Sequence, residues 1–262
     1  MLNTQITRSV VYCCVIDNYD TVFPPVEKTP HVDFILFTNQ PTLKVKGWKT
    51  VYVDTSEFQT PSMANRYYKF SPPEIITAYK YSMYIDGNIR VISSLAPIFR
   101  DFSSSGDAIG LPRHPFRSSL KEEVSRCKEL GVLEDPELAD KQLQDYAAEG
   151  FQDNFGLTEN NVILRNHTSS ALKDAMNLWW NKLQEHSNRD QLSFSYVRWK
   201  TQIPVYVFSW NARQVNPYFY LYRHTKSSFL EKIKVTIKAR RFDSTIHRLL
   251  YQLWQGVKKW KN

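Results

Sequence analysis

Three short constellations in this 262-residue chain combine residue types that can do chemistry. Asp86-Gly87-Asn88 sets a carboxylate and an amide oxygen two residues apart, directly after four hydrophobic positions within residues 81–85 and before Ile89 and Val91. Hard oxygen ligands at that spacing suit Mg²⁺ or Mn²⁺ bridging a diphosphate, because these ions keep open positions for substrate. An Asx turn uses the same three residues without a metal. Gly87 is expected to permit a backbone turn that a bulkier residue would resist. Asp190-Gln191 sets a carboxylate beside an amide, able to hold a sugar hydroxyl and to accept or orient a proton near an anomeric carbon. The competing reading makes Asp190 a helix N-cap. His224, among aromatic residues and next to Arg223 and Lys226, is either a third metal ligand or a structural imidazole; Arg223 or Lys226 could offset a departing diphosphate.

Two pairs extend the set of anion-binding candidates: His114 with Arg117 at H-x-x-R spacing, and Arg66 with Lys69 at R-x-x-K spacing. Guanidinium forks bind phosphate or carboxylate bidentately, so either pair could read phosphates or an acidic sugar, with surface salt bridging as the other reading of Arg117. The chain has no G-x-G-x-x-G, P-loop, G-x-S-x-G or H-E-x-x-H motif. The commonest dehydrogenase, NTPase, hydrolase and zinc-protease readings are thereby removed.

The elements that must position these residues read as an α/β pattern. Residues 10–16 (VVYCCVI), 33–38 (DFILFT) and 48–53 (WKTVYV) are predicted buried strands that end in turn chemistry. Residues 66–70 precede the Pro72-Pro73 break, residues 74–79 form a short helix, and residues 81–85 make a fourth strand running into Asp86. Residues 103–106 (SSSG) read as a flexible joint. Strands are expected at 107–111, 162–165 and 205–209, with helices at 120–130, 136–150 and 170–186. In such sheets ligands bind beyond the carboxyl ends of the strands.

Composition bounds the rest. With 42% apolar residues the chain can bury one large core, and we read a domain over residues 1–228 with a tail over 229–262. The tail holds nine Lys and Arg against Glu231 and Asp243, a net charge of +7 out of the chain's +8. A near-neutral body argues against nucleic acid as a partner and for an acidic surface that meets the tail. Ile233, Ile237, Leu249, Leu250, Leu253, Trp254 and Val257 recur at helical spacings. The tail is therefore expected either to lie on an anionic membrane or to pack on its own domain with its basic face outward. The three cysteines form no C-x-x-C pair, no run approaches membrane-spanning length, and the N-terminal residues lack a cleavable signal. A cytoplasmic protein, peripheral on the inner face of the membrane, is the expectation.

Taken in order, several segments resemble the glycosyltransferase-like family that includes the plant mucilage and rhamnogalacturonan transferases and bacterial relatives. They are Asn18-Tyr19-Asp20, Phe37-Thr38, Asn65-Arg66 with Lys69, Tyr84-Ile85-Asp86-Gly87-Asn88-Ile89, His114-x-x-Arg117, Trp179-Trp180 and Arg189-Asp190-Gln191-Leu192-Ser193-Phe194. The resemblance implies a GT-A-like Rossmann-type mixed sheet flanked by helices and a nucleotide-sugar donor, read here as a UDP-sugar. It implies a D-x-D-type metal motif on Asp86 and Asn88, with His224 as the further ligand of Mn²⁺ or Mg²⁺. Asp20, Thr38, Arg66, Lys69, His114, Arg117 and Lys226 are implied around the donor. The Asp190-Gln191 pair resembles the D-Q element of several retaining transferases and is expected at the reacting sugar. The implied activity is hexosyl or uronosyl transfer to a glycan or lipid-linked acceptor in cell-surface polysaccharide synthesis, with a non-catalytic sugar-nucleotide or glycan-binding module as the alternative.

Overall fold

The computed structural model describes residues 8–225 and 228–259. The strands are β1 (Ser9–Cys14), β2 (Val32–Thr38), β3 (Lys49–Tyr52), β4 (Tyr81–Ile85), β5 (Ile89–Val91), β6 (Ile109–Pro112), β7 (Val162–Asn166), β8 (Val205–Phe208) and β9 (Phe219–Leu221). The helices are α1 (Pro61–Phe70), α2 (Glu74–Thr77), α3 (Ala96–Ser105), α4 (Leu120–Glu129), α5 (Pro136–Ala148), α6 (Ser170–Glu185), α7 (Gln191–Thr201), α8 (Phe229–Arg240) and α9 (Thr245–Lys259).

β1 shows why the sheet is doubly covered. All six of its residues are buried. Val10, Tyr12 and Cys14 enter the core on one face, while Val11 and Cys13 enter the core on the other. A continuous apolar strand of this kind belongs inside a sheet with helices on both sides. The adjacent cysteines thus point to opposite faces; both are free, and burial pushes both thiols well above their ordinary range.

The main sheet has the order β3-β2-β1-β4-β7-β6-β8. Its neighbours are parallel except at β7, which runs antiparallel to both β4 and β6. The result is a mixed sheet flanked by helices, a Rossmann-type arrangement. Because only β7 is reversed, the carboxyl ends of β1, β4, β6 and β8 and the residues entering β7 all reach one edge. A second, two-stranded sheet pairs β5 with β9.

One unassigned stretch takes form and one local expectation changes. The stretch ahead of Pro72-Pro73 is a full helix, α1, opened by Pro61 and by the Thr60 hydroxyl accepting from Met63 N at 3.2 Å. The SSSG segment is no joint: its serines complete α3, and Gly106 ends the helix at φ 75°. Glycine takes that left-handed conformation without the Cβ penalty other residues bear.

Helix α8 packs on the body through Val235 and Ala239, which share a cluster with Phe23 and Tyr222. Buried Arg90 reinforces the seat by donating to the Ala239 carbonyl and the Asp243 carboxylate. Among the described residues no helix is long and apolar enough to cross a membrane. Lys226 and the side chain of Val257 lie outside the described residues.

Candidate active site

The chain leaves β4 at Ile85 and turns through Asp86-Gly87-Asn88 into β5. Asp86 N donates to Asn161 O at 3.0 Å, tying the turn to the segment that enters β7. Since β5 and β9 are antiparallel with Ile89 opposite Leu221, the residue before β5 must face those after β9. Tyr222 N donates to Asn88 O at 3.1 Å, and Asn88 Nδ2 donates to Tyr222 O at 2.9 Å. Asn88 and His224, 136 positions apart, therefore meet.

Gly87 is there for close approach rather than for its turn. Its φ is outside the left-handed region, but a Cβ would come 2.5 Å from Val15 Cγ2. Gly87→Ala should lower stability by about 1–3 kcal/mol through overpacking, measured by urea unfolding. An unchanged midpoint would mean that Val15 yields freely.

The amide of Asn88 is oriented by its bond to Tyr222, and its Oδ1 is buried with no hydrogen-bond partner among the described residues. An orphaned buried oxygen of this kind asks for a ligand. His224 Nδ1 lies 2.9 Å from Asp20 Oδ2, and the same carboxylate accepts from Thr225 N at 3.3 Å. A carboxylate on one ring nitrogen fixes the imidazole and its tautomer, leaving Nε2 on the Asn88 side at 3.5 Å from Nδ2. Asp20 thus orients His224 as well as lining the cleft. Among the described residues no group of three or more His, Cys, Asp and Glu is arranged to hold a metal. The donor set of Asp86, Asn88 and His224 has an amide oxygen as its third member, and that carboxylate-amide-imidazole set fits a divalent cation.

Helix α1 crosses the end of β1, where Asn65 Nδ2 donates to Cys14 O at 2.5 Å. Buried Arg165 in β7 donates to Lys69 O at 2.6 Å and to the Tyr12 hydroxyl at 2.8 Å, fixing the last turn of α1. The Lys69 ammonium, only 7% exposed, then lies 2.5 Å from Asp190 Oδ2 and 3.6 Å from Asp86 Oδ1. The sequence expects this lysine on donor phosphate; the structure finds its charge committed to two carboxylates.

Asp190 precedes α7, but its side chain makes no capping bond and reaches Lys69 instead. Burial alone would raise its pKa; the charge and hydrogen bond of Lys69, with Arg66 and Arg189, outweigh burial and hold the carboxyl below its usual range. Asp86 goes the other way: burial raises it despite Lys69, and the Asp190 charge adds to the rise. Gln191 Oε1 accepts from Arg189 Nη2 at 3.3 Å. These residues line a cleft of about 740 Å³ together with Arg66, Glu159, Asn160, Asn161 and Arg213.

Over residues 2–224 the sequence matches the family described as "TOD1/MUCI70, glycosyltransferase-like domain". The chain belongs to this family. One curated relative, the Arabidopsis thaliana protein named "Probable hexosyltransferase MUCI70", is 24% identical over 215 residues, which cover 72% of this chain and 37% of the relative. The chain therefore matches little more than a third of that relative's length. Similar solved structures include the WbbM bifunctional glycosyltransferase (TM-score 0.46, 10% identity, 79% of this chain and 40% of that one). Mouse xyloside xylosyltransferase 1 gives a TM-score of 0.42 at 11% identity, over 77% of this chain and 84% of that one.

In this TOD1/MUCI70 family member three expected donor residues do not line the cleft. Thr38 is buried, with its hydroxyl accepting from Gln40 N at 3.2 Å. His114 is buried with Nε2 at 3.3 Å from Glu159 Oε1, and Arg117 pairs with buried Glu123. Glu123 also accepts from Arg189 at 3.3 Å, so this pair works one layer behind Gln191, where its charges are used within the protein. The segment Glu159, Asn160 and Asn161 and the residue Arg213 line the cleft without having been singled out from the sequence. The available signal was a polar triplet placed directly before a buried strand. Arg213 Nε donates to Glu159 Oε1 at 2.6 Å.

Burial, helped by the Arg117 charge, lowers the His114 pKa from 6.5 to about 4. Between those values the unfolded chain binds a proton that the folded chain refuses. Stability should therefore fall as pH drops through this window, by up to about 3 kcal/mol from this residue. His114→Gln should flatten the slope in urea unfolding followed from neutral to mildly acidic pH; an unaltered slope would assign the acid sensitivity elsewhere.

Proposed function

We propose that this chain transfers a sugar from a nucleotide-sugar donor, read as a UDP-sugar, to a glycan or lipid-linked acceptor, with retention of anomeric configuration. One observation carries the reading: Asp86, Asp190 and His224, drawn from three distant segments, line a single cleft at the carboxyl edge of the sheet. Family membership supports it. Asp86, Asn88 and His224 would hold Mn²⁺ or Mg²⁺, which when bound supplies Lewis-acid stabilisation of a leaving diphosphate. Asp20 keeps the His224 ring aimed at that position. Arg66, on the cleft wall, would receive donor phosphate, a role that Lys69, held by two carboxylates, is less free to take.

Asp190 remains ionised beside Lys69, which suits a fixed negative charge near a developing oxocarbenium better than a proton donor. Gln191, steadied by Arg189, offers an amide to the reacting sugar. The D-Q resemblance supports retention, with the departing phosphate oxygen helping to deprotonate the acceptor hydroxyl at the same face. The deciding experiment is a screen of nucleotide sugars for donor hydrolysis with and without Mn²⁺. At least one donor should turn over only with the metal. Binding of a nucleotide sugar with no turnover under any condition would instead make this a binding module.

A further inference from the structure

The last helix presents its apolar residues to solvent. In α9, Ile246, Leu249, Leu250 and Leu253 recur at i, i+3, i+4 and i+7, so they form one stripe along the helix. They are between 54% and 70% exposed. A helix that served only to cover its own domain would turn this stripe inward. The opposite arc of α9 is the one that touches the protein: the Arg241 guanidinium lies 4.9 Å from the Tyr251 ring, 4.6 Å from Phe242 and 4.3 Å from Tyr220 of β9. The start of α9 is set by Ser244, whose hydroxyl accepts from His247 N at 3.4 Å. Together with the seat of α8 on Phe23, Tyr222 and Arg90, these contacts fix the stripe outward. The first turn of α8 adds exposed Phe229 and Leu230.

The net charge of the segment selects its occupant. From Thr245 onward the sequence has Arg248, Lys258, Lys259 and Lys261 and no acidic residue, and the whole segment from Phe229 carries +7. A second copy of the chain would bring the same positive charge to the contact. A surface offering hydrocarbon beneath a continuous negative layer matches both the stripe and the net positive charge of the segment that carries it. We infer that α9, with the first turn of α8, docks this protein on an anionic lipid bilayer. Residues 225–262 lie beyond the family match, so the docking face is outside the matched domain. Because α8 begins shortly after His224, docking also holds the cleft near membrane-borne acceptors. That consequence rests on the transferase reading; the docking does not.

The test is sedimentation of the full chain with phosphatidylcholine vesicles, with and without phosphatidylglycerol, followed alongside thermal unfolding and donor hydrolysis. The wild type should bind the mixed vesicles, more weakly as salt is added, and should not bind phosphatidylcholine alone. Leu249→Glu with Leu253→Glu should weaken binding roughly tenfold or more, with unfolding and hydrolysis unchanged. Ile246→Ser with Leu250→Ser must show the same loss in the same direction. Equal vesicle binding by the wild type and both double variants would overturn the inference. So would absence of vesicle binding together with a concentration-dependent dimer that the same substitutions dissolve, which would give the stripe to a second copy. Absence of donor hydrolysis by the wild type, with its vesicle binding intact, would count against the transferase reading and leave the docking in place.

Discussion

Asp86→Ala is expected to lower sugar transfer by roughly 10³-fold or more at saturating Mn²⁺. The folded state should survive the change, because Lys69 keeps its closer partner Asp190 at 2.5 Å and the Asp86 side chain, 32% exposed, is not a core group. Asn88 provides the internal control. Its Oδ1 is the buried oxygen without a hydrogen-bond partner, so Asn88→Asp, which keeps an oxygen there, should retain activity within about tenfold, while Asn88→Ala should fall with Asp86→Ala. Mn²⁺ titration by calorimetry should show affinity lost in Asp86→Ala and Asn88→Ala and kept in Asn88→Asp. Near wild-type transfer by Asp86→Ala at limiting Mn²⁺ would remove the metal assignment. An Asn88→Asp variant as inactive as Asn88→Ala would mean that the amide serves through its bond to Tyr222 rather than through its oxygen.

What could be read from the sequence followed how local each signal is. The mostly apolar residues before Asp86 mark β4 and its end at the turn, because a strand buried on both faces is nearly continuously apolar, Ser82 being the one polar member here, and its polar exit must fall at an edge. The same reasoning located β1 and β2. The reversal of β7 has no local signature, since Val162 to Asn166 reads alike in either direction; its orientation is decided by pairing with β4 and β6. That reversal is what carries Glu159, Asn160 and Asn161 to the cleft, and it explains why they were missed. For Asp190, sequence left a helix cap and a chemical role side by side, and the partner that separates them is a lysine 121 positions away. The role of Asp20 depends in the same way on His224, 204 positions downstream. Thr38, His114 and Arg117 had suitable chemistry, but the burial of Thr38 and His114 and the pairing of Arg117 could not be foreseen: His114 and Arg117 face Glu159 and Glu123 from behind the cleft.

Lys69 separates a local from a tertiary reading by experiment. If the R-x-x-K pair bound donor phosphates, Lys69→Met would raise the KM for donor and leave folding untouched. The structure predicts a different pattern. Removing the ammonium leaves Asp86 and Asp190 in one cleft with no cation between them, so their repulsion must be met by protonating one of them or by moving apart. Breaking a buried pair by deleting one partner costs about 3–5 kcal/mol. The value here should lie at the lower end, because the two carboxylates retain 32% and 21% exposure. Turnover should fall by roughly 10²-fold or more, since Asp190 would lose the interaction that keeps it ionised and Asp86 the one that holds it in place. Lys69→Arg should fail to restore either property, because a planar guanidinium does not fit a space shaped for a compact ammonium packed between the rings of Phe70 and Tyr84 at 5.5 and 5.2 Å. Urea unfolding and steady-state donor kinetics on the two variants decide the matter. A raised KM with unchanged stability and kcat would return Lys69 to the donor phosphates, whereas joint loss of stability and kcat would fix it as the cation that holds Asp86 and Asp190 together.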